Sequence, residues 1–277
     1  MEINAQPARS PDRRIALLID ADNVSHAKIA AILAELAKYG TANVRRAYGD
    51  WASPGLKGWK DKLHDFAIRP IQQFSYSTGK NATDIALVID AMELLYTQKP
   101  EAFCLVSSDA DFTPLVMQLK ANGHEVYGFG ERKTPSPFVN ACTTFLYLDT
   151  LEGQAEAPAA AAEAPPSAKI AKLADVPQDP SEDQATSVSR PLSQDTKLVT
   201  ILRGAVEASA HDDGWAAMSA AGSAAKRQAS IDPRNYGVRN FPALFAATGL
   251  FEIVKMENGQ GFVADRRNRD RTPKPTR

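Results

Sequence analysis

Residues 102–130 read AFCLVSSDADFTPLVMQLKANGHEVYGFG, and this stretch decides the fold. It opens with an apolar run of strand length, passes through two serines into Asp109 and Asp111, continues as a helix-like segment, and closes on a second strand-like run, HEVYGFG. Pro114 falls in the first turn of the helical segment, where its missing N–H costs nothing, and Gly123 follows the last turn. The unit is strand, helix, strand. It also raises a chemical question: carboxylates crowded at the rim of an apolar strand repel each other unless something positive binds them.

The same alternation extends in both directions. Before it come RIALLID, SHAKIAAILAELAKYG, ANVRRAY, SPGLKGWKDKLHDFA, IRPIQQF and ATDIALVIDAMELLYTQ, and after it FLYLD. Ser25 suits an N-cap and Gly40 a helix end. Strands alternating with helices of this length predict an α/β domain built on a mostly parallel sheet covered on both faces. The domain is expected over 14–152, after a flexible N-terminus at 1–13.

From 153 to 193 the composition changes to Ala, Pro, Ser and acidic residues with no aromatic side chain, a linker by composition because it cannot bury enough surface to order itself. Residues 194–265 then read as three helices, QDTKLVTILRGAVEASA, AAMSAAGSAAKRQ and VRNFPALFAATG, followed by the short runs LFEIVKM and GQGFVAD. That order predicts a small winged-helix-like α+β domain. A tail, RRNRDRTPKPTR, is expected to be disordered and carries six basic residues and one acidic.

The chain has 277 residues and a net charge of −1, which conceals an asymmetry. Residues 1–152 carry −2, 153–193 carry −3 and 194–277 carry +4. Only the last segment has the sign that suits a polyanion. Two cysteines, Cys104 and Cys142, are too few for a disulfide framework or a zinc site and read as reduced thiols. No leader and no apolar run of membrane-spanning length is present in the sequence, so the expectation is a soluble cytoplasmic protein that makes no use of a membrane.

In an open parallel sheet, ligands bind outside the carboxyl ends of the strands. Asp20 ends the strand IALLID, Asp50 follows VRRAYG, Asp109 follows FCLVSS, and Asp84 opens the helix leading to the Asp109 strand. Each has a structural explanation on its own: Asp111 and Ser25 as helix caps, Asp84 as a complement to a helix dipole, Asp90 as a solvated or hydrogen-bonded face residue. Capping does not account for both Asp20 and Asp109 at the ends of apolar strands. Oxygen ligands clustered without His or Cys point to a hard cation, Mg²⁺ or Mn²⁺.

The motifs IDADN, YGDW, GKNATDIALVIDAM and VSSDADFTPLV resemble, in order and spacing, those of the NYN domain family of PIN-like metal-dependent ribonucleases. The resemblance covers residues 14–150 and implies a PIN-like, Rossmann-type sheet. It assigns the metal to Asp20, Asp84 and Asp109, with Asp111 and Asp50 as supporting acids. It further implies that Asn23 orients a carboxylate or a metal-bound water, that Ser108 bonds near the metal or a phosphate, and that Lys80 meets the RNA backbone. Ala110 departs from the pattern, where many members carry Ser.

Residues carrying DDGW, DPRNYG, FPALF and the final hairpin resemble a LOTUS, or OST-HTH, domain. That family implies binding of RNA, structured or G-rich RNA included, and in some members a protein partner. Trp215, Tyr236, Phe241 and Phe245 read as core, and Lys226, Arg227, Arg234 and Arg239 as RNA contacts.

Together these readings imply phosphodiester hydrolysis of RNA, and the resemblance implies a 5′-phosphate product. Two rivals remain at this point: a degraded nuclease fold that only binds RNA, and a haloacid-dehalogenase-type phosphatase suggested by the Asp-x-Asp of IDADN. The phosphatase lacks the Thr or Val expected two places after the second Asp, and SSDADF supplies the wrong acidic spacing. The four histidines are scattered, which disfavours a nucleophilic triad. Trp51 and Trp59 read as packing residues, with base stacking open to them beside Asp50.

Overall fold

The computed structural model describes residues 13–74, 81–154, 191–256 and 259–271. In the first domain the elements run β1 (Arg14–Asp20), α1 (Ile29–Leu36), β2 (Thr41–Gly49), α2 (Trp59–Asp65), β3 (Arg69–Gln72), α3 (Ala82–Thr97), β4 (Ala102–Val106), α4 (Thr113–Ala121), β5 (Glu125–Gly130), α5 (Ser136–Ala141) and β6 (Thr144–Tyr147). All six strands are parallel, in the order β3-β2-β1-β4-β5-β6.

The run Ile15–Ile19 explains why β1 is central. All five side chains are fully buried, which a strand needs when helices cover both faces. Ile15, Leu17 and Ile19 pack with Ile29, Ile32 and Leu36 of α1 and Trp59 of α2. Ala16 and Leu18 face the other way, against Leu87 and Leu94 of α3 and Leu115 and Leu119 of α4. Pro70, which cannot donate to a ladder, sits in the edge strand β3.

The chain moves outward from β1 to β3 and then returns to place β4 on the other side of β1. The connections therefore diverge between β1 and β4, leaving a crevice at the carboxyl ends of these two strands. Asp20 is the last residue of β1, and Ser107 to Asp109 follow β4 directly. Helix α5 was not anticipated: it is six residues long, and the prolines at 135 and 137 mask its signal, although Pro137 lies in the first turn where proline is tolerated.

The second domain comprises α6 (Thr196–Glu207), β7 (Ala216–Ala217), α7 (Met218–Gln228), α8 (Phe241–Thr248), β8 (Phe251–Lys255) and β9 (Gly261–Asp265). β8 and β9 form the expected hairpin, and β7 adds a short third strand to β9. Asp195 caps α6 through the Leu198 N–H at 2.9 Å, and Asn240 caps α8 through the Ala243 N–H at 3.0 Å. Leu202, Leu244, Phe245, Phe251 and Val263 make the core, with Trp215 buried.

A helical turn at Leu192–Gln194 already packs on that core through Leu192. The tail differs from expectation in its first half, since Arg266–Arg271 forms a 3-10 turn with Arg267 on Asp265. Residues 272–277, the linker from 155 to 190 and the N-terminal 1–12 lie outside the described residues. Cys104 and Cys142 are free and buried, and burial pushes the Cys142 thiol up to about 12. No helix among the described residues is long and apolar enough to cross a membrane.

Candidate functional site

Asp20 is completely buried at the end of β1. Its Oδ2 accepts hydrogen bonds from Asn23 Nδ2 at 2.9 Å and Ser107 Oγ at 2.8 Å, whereas its Oδ1 is buried with no partner. Burial pushes the Asp20 carboxyl up, and Asp22 adds to this, against the lowering hydrogen bonds from Asn23 and Ser107. A buried carboxylate oxygen without a donor is costly, and such an atom is a natural place for a cation.

Asp109 stands directly after the β4 rim and caps the following turn, its Oδ1 accepting the Asp111 N–H at 2.8 Å. This reverses the expectation that Asp111 is the cap: Asp111 is the capped residue, and its own carboxylate accepts from Asn81 Nδ2 at 3.2 Å. Asn81 immediately precedes α3, and Asp84 lies in the first turn of that helix. Half-buried, Asp84 has a carboxyl pushed up to about 6 by burial first, then by Asp20, Asp109, Asp111 and Asp22. Four other carboxylates act on Asp84, so the acids dispersed along the chain do meet electrostatically at the β1/β4 crevice.

Two residues of this edge, Asp22 and Ser107, have no place in the ligand set that the resemblance implies. Asp22 accepts from Thr83 Oγ1 at 2.8 Å and, at 3.4 Å, from the Asp50 N–H, tying the end of β1 to the start of α3 and the end of β2. Ser107, not Ser108, is the serine that reaches Asp20, and its Oγ also accepts the Asp109 N–H at 3.1 Å. Ser108 turns away and accepts the Glu131 N–H at 2.8 Å. Successive side chains leave a strand on opposite faces, so only one of two adjacent serines can face the acids. The sequence signal for Asp22 was its place inside IDADN.

Asp50 has other partners. Its carboxylate accepts from Gln72 Nε2 at 2.9 Å and from the Ala52 N–H, and it is not among the acids that chiefly raise Asp84. Asp90 pairs with Arg46 and Tyr48, a hydrogen-bonded role. Lys80 lies outside the described residues. Among the described residues, no three carboxylates, imidazoles or thiols are gathered tightly enough to enclose an ion as they stand. The donor set nevertheless fits a hard cation: it is all oxygen, mutually repulsive, and includes one buried oxygen with no partner.

In the second domain, Lys226, Arg227 and Arg239 are exposed. Lys226 Nζ lies 5.7 Å from the centre of the Phe241 ring and borders a groove of about 960 Å³ that also meets Met218, Ile253, Lys255 and Phe262. Arg234 has a different setting. Its Nε and Nη2 each lie 2.9 Å from Asp232, its Nη1 lies 2.6 Å from Glu35 of α1, and its Nη2 reaches the Tyr39 hydroxyl at 3.2 Å. These hydrogen bonds, Asp232's first, raise the Arg234 pKa.

Residues 14–149 match the profile of the NYN domain, and residues 190–263 that of the OST-HTH/LOTUS domain. An uncharacterized protein of Methanocaldococcus jannaschii is 29% identical over 127 residues, covering 44% of this chain and 49% of that protein. The chain thus spans about half the length of that curated relative. A crystal structure of a protein of unknown function from Vibrio parahaemolyticus is 18% identical with a TM-score of 0.42, over 53% of this chain and 96% of the other.

Proposed function

The chain joins an NYN domain, of a nuclease-type family, to an OST-HTH/LOTUS domain, and from this pairing we propose that it hydrolyses RNA phosphodiester bonds at the β1/β4 crevice while the second domain holds the RNA. The observation that carries the reading is the electrostatic convergence on Asp84, at the start of α3, of four carboxylates from the ends of β1 and β4, beside a buried Asp20 oxygen with no partner. Such an arrangement is a liability to an inert fold and an asset to a cation site.

Asp20, Asp84 and Asp109 would hold Mg²⁺ or Mn²⁺, which when bound lowers the pKa of a coordinated water and offsets charge on a phosphate. The protein's own contribution is positioning. Asn23 and Ser107 fix the Asp20 carboxylate by its Oδ2 and leave Oδ1 unengaged. Ser107 also fixes the Asp109 backbone, and Asp22 holds the start of α3 through Thr83, the residue before Asp84. Asp84, at about 6, exists largely as carboxylate at neutral pH and as acid below it. Lys226, Arg227 and Arg239 supply cations for backbone phosphates, a mode of binding that recruits RNA with little sequence discrimination.

Cleavage of end-labelled RNAs, structured and G-rich among them, with each metal tests the proposal. Asp109→Asn is expected to lower the rate about a hundredfold or more while leaving RNA affinity within about twofold. Cleavage insensitive both to chelation and to this change would overturn it. A wild type that binds RNA and cuts none of the panel with either metal would favour the non-enzymatic RNA-binding reading.

A further inference from the structure

The second domain carries a loop whose chemistry is spent on the first domain. Residues Pro233–Tyr236 form a tight 3-10 turn, capped by Asp232 through the Arg234 N–H at 3.0 Å and closed by Gly237 at φ 75°. Arg234 and Asn235, at the tip, both cross to the first domain.

Asn235 behaves as a short piece of β-strand. Its Nδ2 donates to the Phe145 carbonyl at 2.8 Å, and its Oδ1 accepts the Tyr147 N–H at 3.2 Å. A primary amide has the donor and acceptor of a peptide group, so it can satisfy both outward-facing groups of an edge strand. β6 is the last strand of the sheet, and Phe145 and Tyr147 lie in it. The Asn235 backbone carbonyl accepts from Arg132 Nη1 at 3.0 Å, and the Arg132 guanidinium is itself held by Asp149 at 2.8 Å and lies 4.8 Å from the Tyr147 ring.

Arg234 makes the second point of attachment. Its Glu35 partner has a side chain only 3% exposed and also takes Lys38 at 2.6 Å. A carboxylate buried so deeply on α1 requires cationic partners, and one comes from a residue 199 positions away. The tether does not impose this contact. The 36 residues between Gln154 and Pro191 reach roughly 120 Å at full extension at ~3.3–3.6 Å each, far more than two touching domains need.

We propose that the Pro233–Tyr236 turn is an intramolecular latch: Asn235 closes the β6 edge and Arg234 neutralises Glu35, so the RNA-binding domain is docked on the first domain in one orientation. The latch also adjoins the acidic edge. Arg132 holds Asn235, while the preceding residue, Glu131, donates its N–H to Ser108, the neighbour of Asp109. The docked domain is therefore joined, through two consecutive residues, to the loop bearing a proposed ligand. The functional consequence, a fixed path from RNA groove to scissile bond, rests on the nuclease reading; the docking does not.

The test uses the full chain and needs no RNA. Backbone ¹⁵N relaxation should give both domains one rotational correlation time, and the Tyr147 amide should exchange slowly with solvent. Asn235→Asp places a carboxylate against the Phe145 carbonyl, and Glu35→Gln removes the partner of Arg234; neither touches the Asp232–Arg234 pair that shapes the second domain. Each should separate the two correlation times, and Asn235→Asp should speed Tyr147 exchange at least tenfold while amides at the β1/β4 pairing keep their protection. Independent tumbling in the wild type, or unchanged tumbling and exchange in both variants, would overturn the latch. So would a dimer in light scattering that Asn235→Asp turns to monomer, because the contact would then lie between copies. Failure of RNA cleavage leaves all of these readings intact.

Discussion

Replacing Asp84 with Asn should stabilise the metal-free protein at neutral pH, although it removes a proposed ligand. The folded Asp84 carboxyl stands at about 6 against an ordinary 3.8. Because the folded value is the higher one, the favourable contribution is complete below the ordinary value and is lost as pH rises through about 6; at pH 7.5 the ionised group is a net cost. Two units correspond to about 3 kcal/mol at ~1.4 kcal/mol each. The group is half exposed and sits in the first turn of α3, so water and the positive end of the helix offset much of this, leaving a penalty on the order of 1 kcal/mol. For a domain of this size that is roughly 3 °C in melting temperature. Melts in EDTA should therefore place Asp84→Asn above wild type at pH 7.5 and level with it at pH 4. Saturating Mn²⁺ should reverse the order, because wild type gains about 2.7 kcal/mol at a hundred times Kd and the variant gains much less. An Asp84→Asn protein that melts below wild type in EDTA at pH 7.5 would show that the acids do not crowd Asp84 as described.

Arg46→Ala leaves Asp90 with Tyr48 alone in a pair whose side chains are 16% and 14% exposed, and should cost about 3 kcal/mol in urea unfolding, with part recovered by adding Asp90→Ala. Gly130→Ala should weaken the metal response, since the new Cβ would come within 2.6 Å of the Ser107 carbonyl and must displace the residue that holds Asp20; an unchanged Mn²⁺ shift in the melting curve would contradict this. Lys226→Ala should reduce the salt dependence of single-stranded RNA binding by about 0.7 unit of log–log slope with little change in sequence preference, as titrations at several salt concentrations would show.

The sheet was legible because its information is local. The IALLI run requires cover on both faces, and its end at Asp20 follows from the same residues. The acidic edge was legible as a set of strand ends, but the assignment within it was not: which serine meets Asp20, and which aspartate caps the turn, depend on the direction each side chain takes as it leaves β4. Charge was the least legible property, because a residue's partner is set by the fold and its sign by the sequence. The +4 of residues 194–277 has the sign that suits a polyanion. In the folded chain Arg203 and Arg267 lie on Asp265, and Arg234 lies on Asp232 and Glu35. Asp232 was visible two places from Arg234, whereas Glu35 is in the other domain. Arg234, counted from the sequence among the RNA contacts, is engaged in the folded chain by Asp232, Glu35 and the Tyr39 hydroxyl. Of the four cations expected to meet RNA there, Lys226, Arg227 and Arg239 remain, so a single-stranded ligand held by these three should give a log–log salt slope near −2, at about 0.7 per phosphate, and not the steeper value that counting Arg234 would give.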